Sequence, residues 1–351
     1  MSPVLRRLAV QSYIRRLGLS SRPIVIGPWR SELGFEALYW LPFLRWAQAY
    51  GNIDPGRFVT LTRGGAGTFY GAPGVDLYQL RSVSAVRQEN LYDAQATKVQ
   101  KQMRVTRWDR AVASEAADYL HGRGTQYHLL HPSWMYWALE PFWEEHAGMR
   151  YLLSLCDFTP IPKMPLPAGV PLPDKFVAMK FYARHTFPVG PDTQSFIMET
   201  AKTIAAQTHI VLLSSGVQAD EHQDVRIEGP NIVNLPAVAA EQNVALQAAV
   251  LSKASAFVGV YGGTAQLALR MGIPSVSFYK HFNGTAHAHL TLSEWLGKQT
   301  KTPFLSGSLQ DAHLWSQVVG RLVSMSPPIV VTDRPDRSSG ESILCGPLEA
   351  A

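Results

Sequence analysis

The stretch ASAFVGVYGGTAQLALRMGIPSVSFY, residues 254–279, constrains the fold more than any other part of the chain. It opens on an apolar run, residues 256–260, with no polar alternation, so both faces of the strand it predicts must be covered. Gly262 and Gly263 then turn the chain, and Thr264 is placed to cap a helix. Gly272 ends that helix and Pro274 opens a second apolar run, residues 275–278. Strands of this kind separated by helices imply a parallel sheet with helices on both sides.

The same alternation runs through the chain in two sets. The first comprises strands at 24–26, 58–61, near 77–80 and at 127–130, with helices at about 35–50, near 110–120 and after Ser133. The second comprises strands at 176–181, 209–213, 232–233, 256–260 and 275–278, with helices at about 193–207, 241–253, from 263 or 264, and near 309–323. Between the sets stand Pro160, Pro162, Pro165, Pro167, Pro171 and Pro173, a density that neither helix nor central strand accommodates. A chain of 351 residues exceeds one ordinary core. The expected plan is an α/β protein with two facing Rossmann-like domains: an acceptor-side domain over 1–158, a linker over 159–174, a nucleotide-sugar domain over 175–333, and a loose tail over 334–351 rich in Arg, Ser, Gly and Asp. Ligands of such folds lie in the cleft outside the carboxyl ends of the strands.

Composition narrows the function classes. With 46% hydrophobic and 17% charged residues the chain is neither disordered nor fibrous. The net charge of +5 suits an anionic ligand or an anionic membrane surface, but the basic residues form no runs of the nucleic-acid-binding kind. Cys156 and Cys345 make no CxxC pair, which points to a reducing compartment and against a cysteine-based zinc site. No stretch approaches the roughly 20 apolar residues of a membrane span, and the first 20 residues lack a signal-peptide pattern, so a cytoplasmic location is expected. Residues 1–30 carry six arginines and no acid. They are a candidate peripheral contact with the inner membrane surface, or else a solvated helix packed on the first domain.

The residues that carry chemistry cluster at predicted strand ends. The glycines at 262 and 263 remove side chains from the approach to a helix N-terminus, whose N–H groups and positive dipole end favour an anion such as a diphosphate. In FVAMKFYARHTFP, residues 176–188, Lys180 and Arg184 end another strand of the same domain on the same edge. Ser214, Ser215 and Gly216 close a third strand within reach of a ribose or phosphate. In the first domain, IVIGPWRSELGFE passes from strand to helix through Gly27, Pro28 and Gly34, which puts Arg30, Glu32 and Glu36 on a loop over the cleft. Glu32 and Glu36 are candidate proton acceptors, or acids that meet the dipole of the helix they begin. Arg63, in LTRGGAGTFYG, is a further strand-end cation and either contacts a ligand or flanks a flexible turn. Trp134, Tyr136 and Trp137 read mostly as core. His281, His287 and His289 have no carboxylate or cysteine beside them to complete a metal site, and read as a loop after the strand at 275–278 that sits near the nucleotide or the sugar, or else as an exposed polar loop.

The segment Gly262-Gly263-Thr264-Ala265-Gln266-Leu267-Ala268, followed by Gly272-Ile273-Pro274, resembles the donor-phosphate turn and helix of GT-B glycosyltransferases, most of all their heptosyltransferase-type and fucosyltransferase-type members. The resemblance implies a metal-independent enzyme without a cofactor, with a nucleotide-sugar as donor and a saccharide or lipid-linked hydroxyl as acceptor. It implies that Lys180 and Arg184 stabilise the diphosphate leaving group, and that Gly262, Gly263 and Thr264 hold its oxygens. Where many relatives have a ribose-gripping Glu in this helix, the chain has Gln266 and Leu267, and Tyr261 replaces the acid of an acid-glycine pair. A polysaccharide pyruvyltransferase or sugar-nucleotide epimerase on the same scaffold, and a non-catalytic nucleotide-sugar or carbohydrate-binding protein, are the competing expectations.

Overall fold

The structure, a computed structural model, describes residues 2–97, 102–184, 187–213, 217, 223–281 and 284–325. The expected tail at 334–351 lies outside them, as do Ser214, Ser215 and Gly216.

The first half is built on four parallel strands, β1 (Ile24–Ile26), β2 (Phe58–Thr62), β3 (Gly74–Asp76) and β4 (His128–Leu130), in the order β3-β2-β1-β4. The second half is built on a six-stranded parallel sheet. Its strands are β5 (Phe176–Lys180), β7 (His209–Leu212), β9 (Ile232–Asn234), β10 (Ala256–Val260), β11 (Ser275–Tyr279) and β12 (Phe304–Ser308). A short antiparallel ribbon, β6 (Tyr182–Ala183) with β8 (Gln223–Asp224), stands beside it. The large sheet runs β12-β11-β10-β5-β7-β9, so strand order reverses between β5 and β10. This is the doubly wound Rossmann order, and the reversal opens a crevice at the carboxyl ends of those two strands. The first sheet reverses in the same way between β1 and β4. The expectation of two Rossmann-like α/β halves is therefore met. Their cores are formed by the apolar runs themselves: Ile24, Val25, Val59, Leu61, Val177, Met179, Phe257 and Val258 are all fully buried or nearly so.

Several elements differ from the sequence reading. The strand expected near 77–80 is β3 at Gly74–Asp76, and Leu77–Leu80 is a helical turn. The Asp76 carboxylate accepts from Tyr78 N–H and joins Gln79 in a capping box, which ends the strand there. The helix expected at 35–50 is a composite of Leu33–Phe35, a π-helical turn Glu36–Trp40, and Leu41–Gly51. Pro42 has no N–H to give to the preceding turn, and Leu41 N–H reaches back five residues to the Glu36 carbonyl, widening the helix. His287 and His289 belong to a helix, Gly284–Thr300, and not to a loop.

The N-terminal segment forms a helix, Pro3–Gly18, that buries Val10, Ile14 and Leu17. Arg6 pairs with Glu140, and the Arg15 guanidinium lies over the Tyr50 ring at 4.9 Å. No helix among the described residues is long and apolar enough to cross a membrane. The proline-dense stretch carries neither helix nor strand and is pinned to the second half. Arg270 donates to the carbonyls of Phe158 and Thr159 at 2.6 and 2.8 Å, and Met164 N–H donates to Ser252 Oγ at 2.9 Å.

Candidate active site

The carboxyl ends of β5 and β10 and the loop after β1 converge on one cleft. After β10 the chain turns at Gly262, whose φ of 174° is ordinary extended backbone. A glycine is needed there for space, because a Cβ would lie 2.3 Å from Tyr182 Oη and 3.2 Å from Arg184 Nη1. Gly262 is the N-cap of the helix Gly263–Arg270, and Thr264 is already its second residue, so the cap lies two residues before the expected Thr264. The helix starts at the first residue that can adopt helical backbone once Gly262 has turned. Its first N–H groups, which have no carbonyl within the helix, open beside Tyr182 and Arg184.

The two halves meet here at glycines. A Cβ on Gly263 would stand 2.9 Å from Gly34 N, and one on Gly34 would stand 2.0 Å from Gln266 Oε1. A second contact joins Gly64 and Gly65 to the helix Asn243–Lys253, where Cβ atoms would stand 2.7 Å from Val244 Cγ2 and 2.7 Å from Ala245 Cβ. Gly64 O accepts from Ala245 N–H at 2.9 Å. The second glycine-rich stretch is thus a close seam between halves, which corrects the reading of it as a flexible turn.

The second half lines the cleft with Lys180, Tyr182, Arg184, Asn243, Gln247, Gly263 and Thr264, and the first half lines it with Glu32, Gly34, Arg63 and Tyr78. Three cations, Lys180, Arg184 and Arg63, face two acids, Glu32 and Asp224, which leaves the lining one positive charge in excess before the helix N-termini are counted. Lys180 Nζ donates to Gln247 Oε1 at 2.7 Å. Arg184 is set by a tight bridge in which its N–H and carbonyl bond Phe187 at 3.2 and 3.0 Å. Arg63 is buried and donates to the Ser31 carbonyl.

Of the two candidate proton acceptors, only Glu32 reaches the cleft. It stands at the N-cap of the short helix Leu33–Phe35 without making a side-chain capping bond. Glu36 is fully buried beneath, with Oε1 accepting from Tyr70 Oη at 2.6 Å and Oε2 without a hydrogen-bond partner among the described residues. Burial pushes its carboxyl up to about 7, with the Arg63 charge and the Tyr70 hydroxyl partly offsetting that rise. Its place on the inner face of the π turn keeps it from a substrate hydroxyl, so the expectation of Glu36 as base is corrected.

Arg30, expected on the acceptor side, is a structural cation. It is 2% exposed, and its guanidinium bonds Asp109 at 3.2 Å, Asp93 at 2.9 Å and Asn90 at 2.7 Å. Two buried aspartates require a cation, and they take the arginine out of the cleft. Burial alone would raise Asp109, but the hydrogen bond and charge of His131, with Arg30 and the Thr106 amide, hold it well below the usual carboxylate range. The cluster also fixes the loop backbone: Arg30 N–H donates to Gln102 Oε1 at 3.2 Å and Asn90 Nδ2 donates to the Arg30 carbonyl at 2.8 Å. Gly27 likewise serves the fold. Its φ is +123°, and a Cβ there would meet the Leu61 carbonyl at 2.3 Å.

Gln266, expected to touch the donor, is buried against Gly34 and the Tyr261 hydroxyl and does not line the cleft. The histidines do not gather. His281 and His287 are exposed, while His289 Nδ1 lies 2.6 Å from Tyr39 Oη across the seam between halves. Burial, and secondarily Arg184, push His289 down to about 4. Among the described residues no three potential ligands form a metal-sized group. The sequence reading missed Asn243, Gln247, Tyr182, Tyr78 and Asp224. Asn243 and Gln247 stand four apart at the start of a helix, a spacing that puts both on one face and was available as a signal. Tyr182 and Asp224 sit in two-residue strands too short to show any pattern.

No family model matches the chain, and no curated protein matches it. Among solved structures, the E. coli heptosyltransferase WaaC with ADP aligns with a TM-score of 0.40 at 14% identity, covering 87% of this chain and 99% of its own. A glycosyl transferase family 9 protein from Veillonella parvula aligns at 0.41 and 11% identity, covering 88% and 94%. The glycosyltransferase SnogD from Streptomyces nogalater aligns at 0.30 and 13%, covering 88% and 95%. This chain's own side chains give the crevice between the two Rossmann-like halves three cations against two acids.

Proposed function

We propose that the protein is a glycosyltransferase that moves a sugar from a nucleotide-sugar to a saccharide or lipid-linked hydroxyl acceptor, without a metal ion, in the assembly of a surface polysaccharide or glycoconjugate. The observation that carries this reading is the convergence of Lys180, Arg184, Arg63 and the N-terminus of the helix Gly263–Arg270 on a cleft that Glu32 also faces.

In such a transfer the acceptor oxygen forms a bond to the anomeric carbon and gives its proton to the Glu32 carboxylate. The bond from that carbon to the diphosphate breaks, and the electron pair leaves with the nucleoside diphosphate. The charge that grows on the leaving group is what the three cations and the helix N-terminus stabilise, and preorganised groups of this kind are worth several kcal/mol in a water-poor cleft. Glu32 has the one accessible carboxylate that the first half offers to the cleft among the described residues. In this reading Lys180, Arg184 and Arg63 meet the leaving group, and Glu32 meets the acceptor.

The test is a thermal-shift and turnover screen with nucleoside diphosphates and their sugars. Stabilisation by at least one nucleoside diphosphate is expected from linkage, and Lys180→Met should lower kcat with the matching donor about 100-fold. A wild-type protein indifferent to every nucleotide refutes the reading.

A further inference from the structure

The cleft contains an amide pair whose orientation is dictated by its neighbour. An ammonium group only donates, so the atom of the Gln247 amide that meets Lys180 must be its oxygen, as the 2.7 Å contact to Oε1 has it. The Gln247 Nε2 therefore faces Asn243, where it finds the Oδ1 acceptor at 2.8 Å. The oxygen of Asn243 is thereby used, and its Nδ2 is turned away from Gln247. Asn243 is only 8% exposed and lines the cleft together with Lys180, Arg184 and Thr264. Its Nδ2 meets no acceptor among the described residues.

The Asn243 side chain is largely buried but its amide nitrogen stays open to the cleft, so Gln247 holds a fixed N–H donor at the cleft wall for an entering oxygen. Helix capping does not explain the residue. The N-cap is Gln242, which makes no side-chain capping bond, and the Asn243 side chain bonds no backbone group of its own helix. We infer that Asn243 binds an oxygen of the anionic group that enters the cleft beside Lys180, and that Gln247 is the positioning residue that turns the Asn243 amide nitrogen toward it. The ligand class is a phosphoryl anion, since the cations on either side would leave a neutral acceptor no advantage. This rests on the reading of the cleft as a nucleoside-diphosphate site and adds a hydrogen-bond donor to it.

Two substitutions of nearly unchanged shape test it. Asn243→Asp keeps an oxygen for Gln247 Nε2 and adds an acid to the first turn of a helix, where it is favourable, so the fold keeps or gains stability. The donor toward the ligand is replaced by a repelling carboxylate. Gln247→Glu leaves Asn243 nothing to accept, so its amide rotates, gives Nδ2 to the new carboxylate and shows Oδ1 to the cleft. Titration calorimetry of the wild type and both variants against ADP, GDP, UDP, CDP and pyrophosphate reads the outcome, with melting temperatures measured alongside. The expected result is a loss of about 10- to 100-fold in affinity for the best-binding probe in both variants, with Asn243→Asp melting no lower than wild type. Affinities within twofold of wild type in both variants overturn this inference and leave the proposed function standing. A wild type that binds none of the five probes overturns both.

Discussion

Glu36 offers a measurement in which the buried seam under the cleft can be weighed directly. Its carboxyl has no exposed surface, and burial moves it from 4.5 to about 7. A folded state that raises an acid in this way binds the proton more tightly than the unfolded chain does. Its contribution to stability is therefore fully present below pH 4.5 and is lost as the pH rises through 7. The size of the loss follows from the interval: at 1.36 kcal/mol per pH unit it is about 3 kcal/mol. Glu36→Gln keeps the acceptor for the Tyr70 hydroxyl and removes the titration. The perturbation is read by urea denaturation of both proteins from pH 4.5 to 8, taking the difference in unfolding free energy at each pH. Glu36→Gln should match the wild type near pH 4.5 and exceed it by about 3 kcal/mol at pH 8, with most of the change between pH 5 and 7. His289, pushed down to about 4, works in the opposite sense. Its stabilisation is present above 6.5 and is lost as the pH falls toward 4. That term is common to both proteins and drops out of the difference. A difference that stays flat within about 0.5 kcal/mol across the range would refute the reasoning, because Glu36 would then be ionised in the fold, held by Arg63.

Other perturbations follow from the same geometry. Arg30→Met leaves Asp93 and Asp109 buried without their shared cation and should cost about 3–5 kcal/mol in chemical denaturation; a loss below about 1 kcal/mol would mean that His131 and Arg104 suffice. Gly263→Ala has no unfavourable backbone angle to overcome and by helix propensity alone should gain up to about 1 kcal/mol. Its methyl would stand 2.9 Å from Gly34 N and 3.0 Å from Leu33 Cβ, and such overpacking costs about 1–3 kcal/mol. A lower melting temperature with reduced turnover is expected, and a higher melting temperature would show that the halves do not touch there in solution.

The alternation of unpatterned apolar runs with helices, and the glycine turn after β10, were legible because they depend on local periodicity and turn chemistry. The same holds for the place of Lys180 and Arg184 at a strand end and for the third cation, Arg63, beside glycines. Element ends were less legible where side chains compete with the pattern, as at Asp76, which stops a strand by capping a turn, and at Pro42, which widens the helix before it. The paired amides of Asn243 and Gln247 left a spacing in the sequence but no sign of their orientation, which Lys180 imposes from another strand.

The sequence by itself determined which cations, glycines and acids stand at strand ends and that those strands lie parallel. Only the tertiary structure decided which of them face the cleft. Arg30 and Arg63 both follow a buried strand of the first half, and nothing local separates them. The partners that take Arg30 into the interior, Asn90, Asp93 and Asp109, are 60, 63 and 79 residues away along the chain. Glu32 and Glu36 are likewise parted by the short helix Leu33–Phe35, which leaves one carboxylate at the cleft and the other, at the start of the π turn, buried against Tyr70. Burial is a property of what packs against a residue, so the role of a charged side chain is fixed only when the distant parts of the chain have arrived.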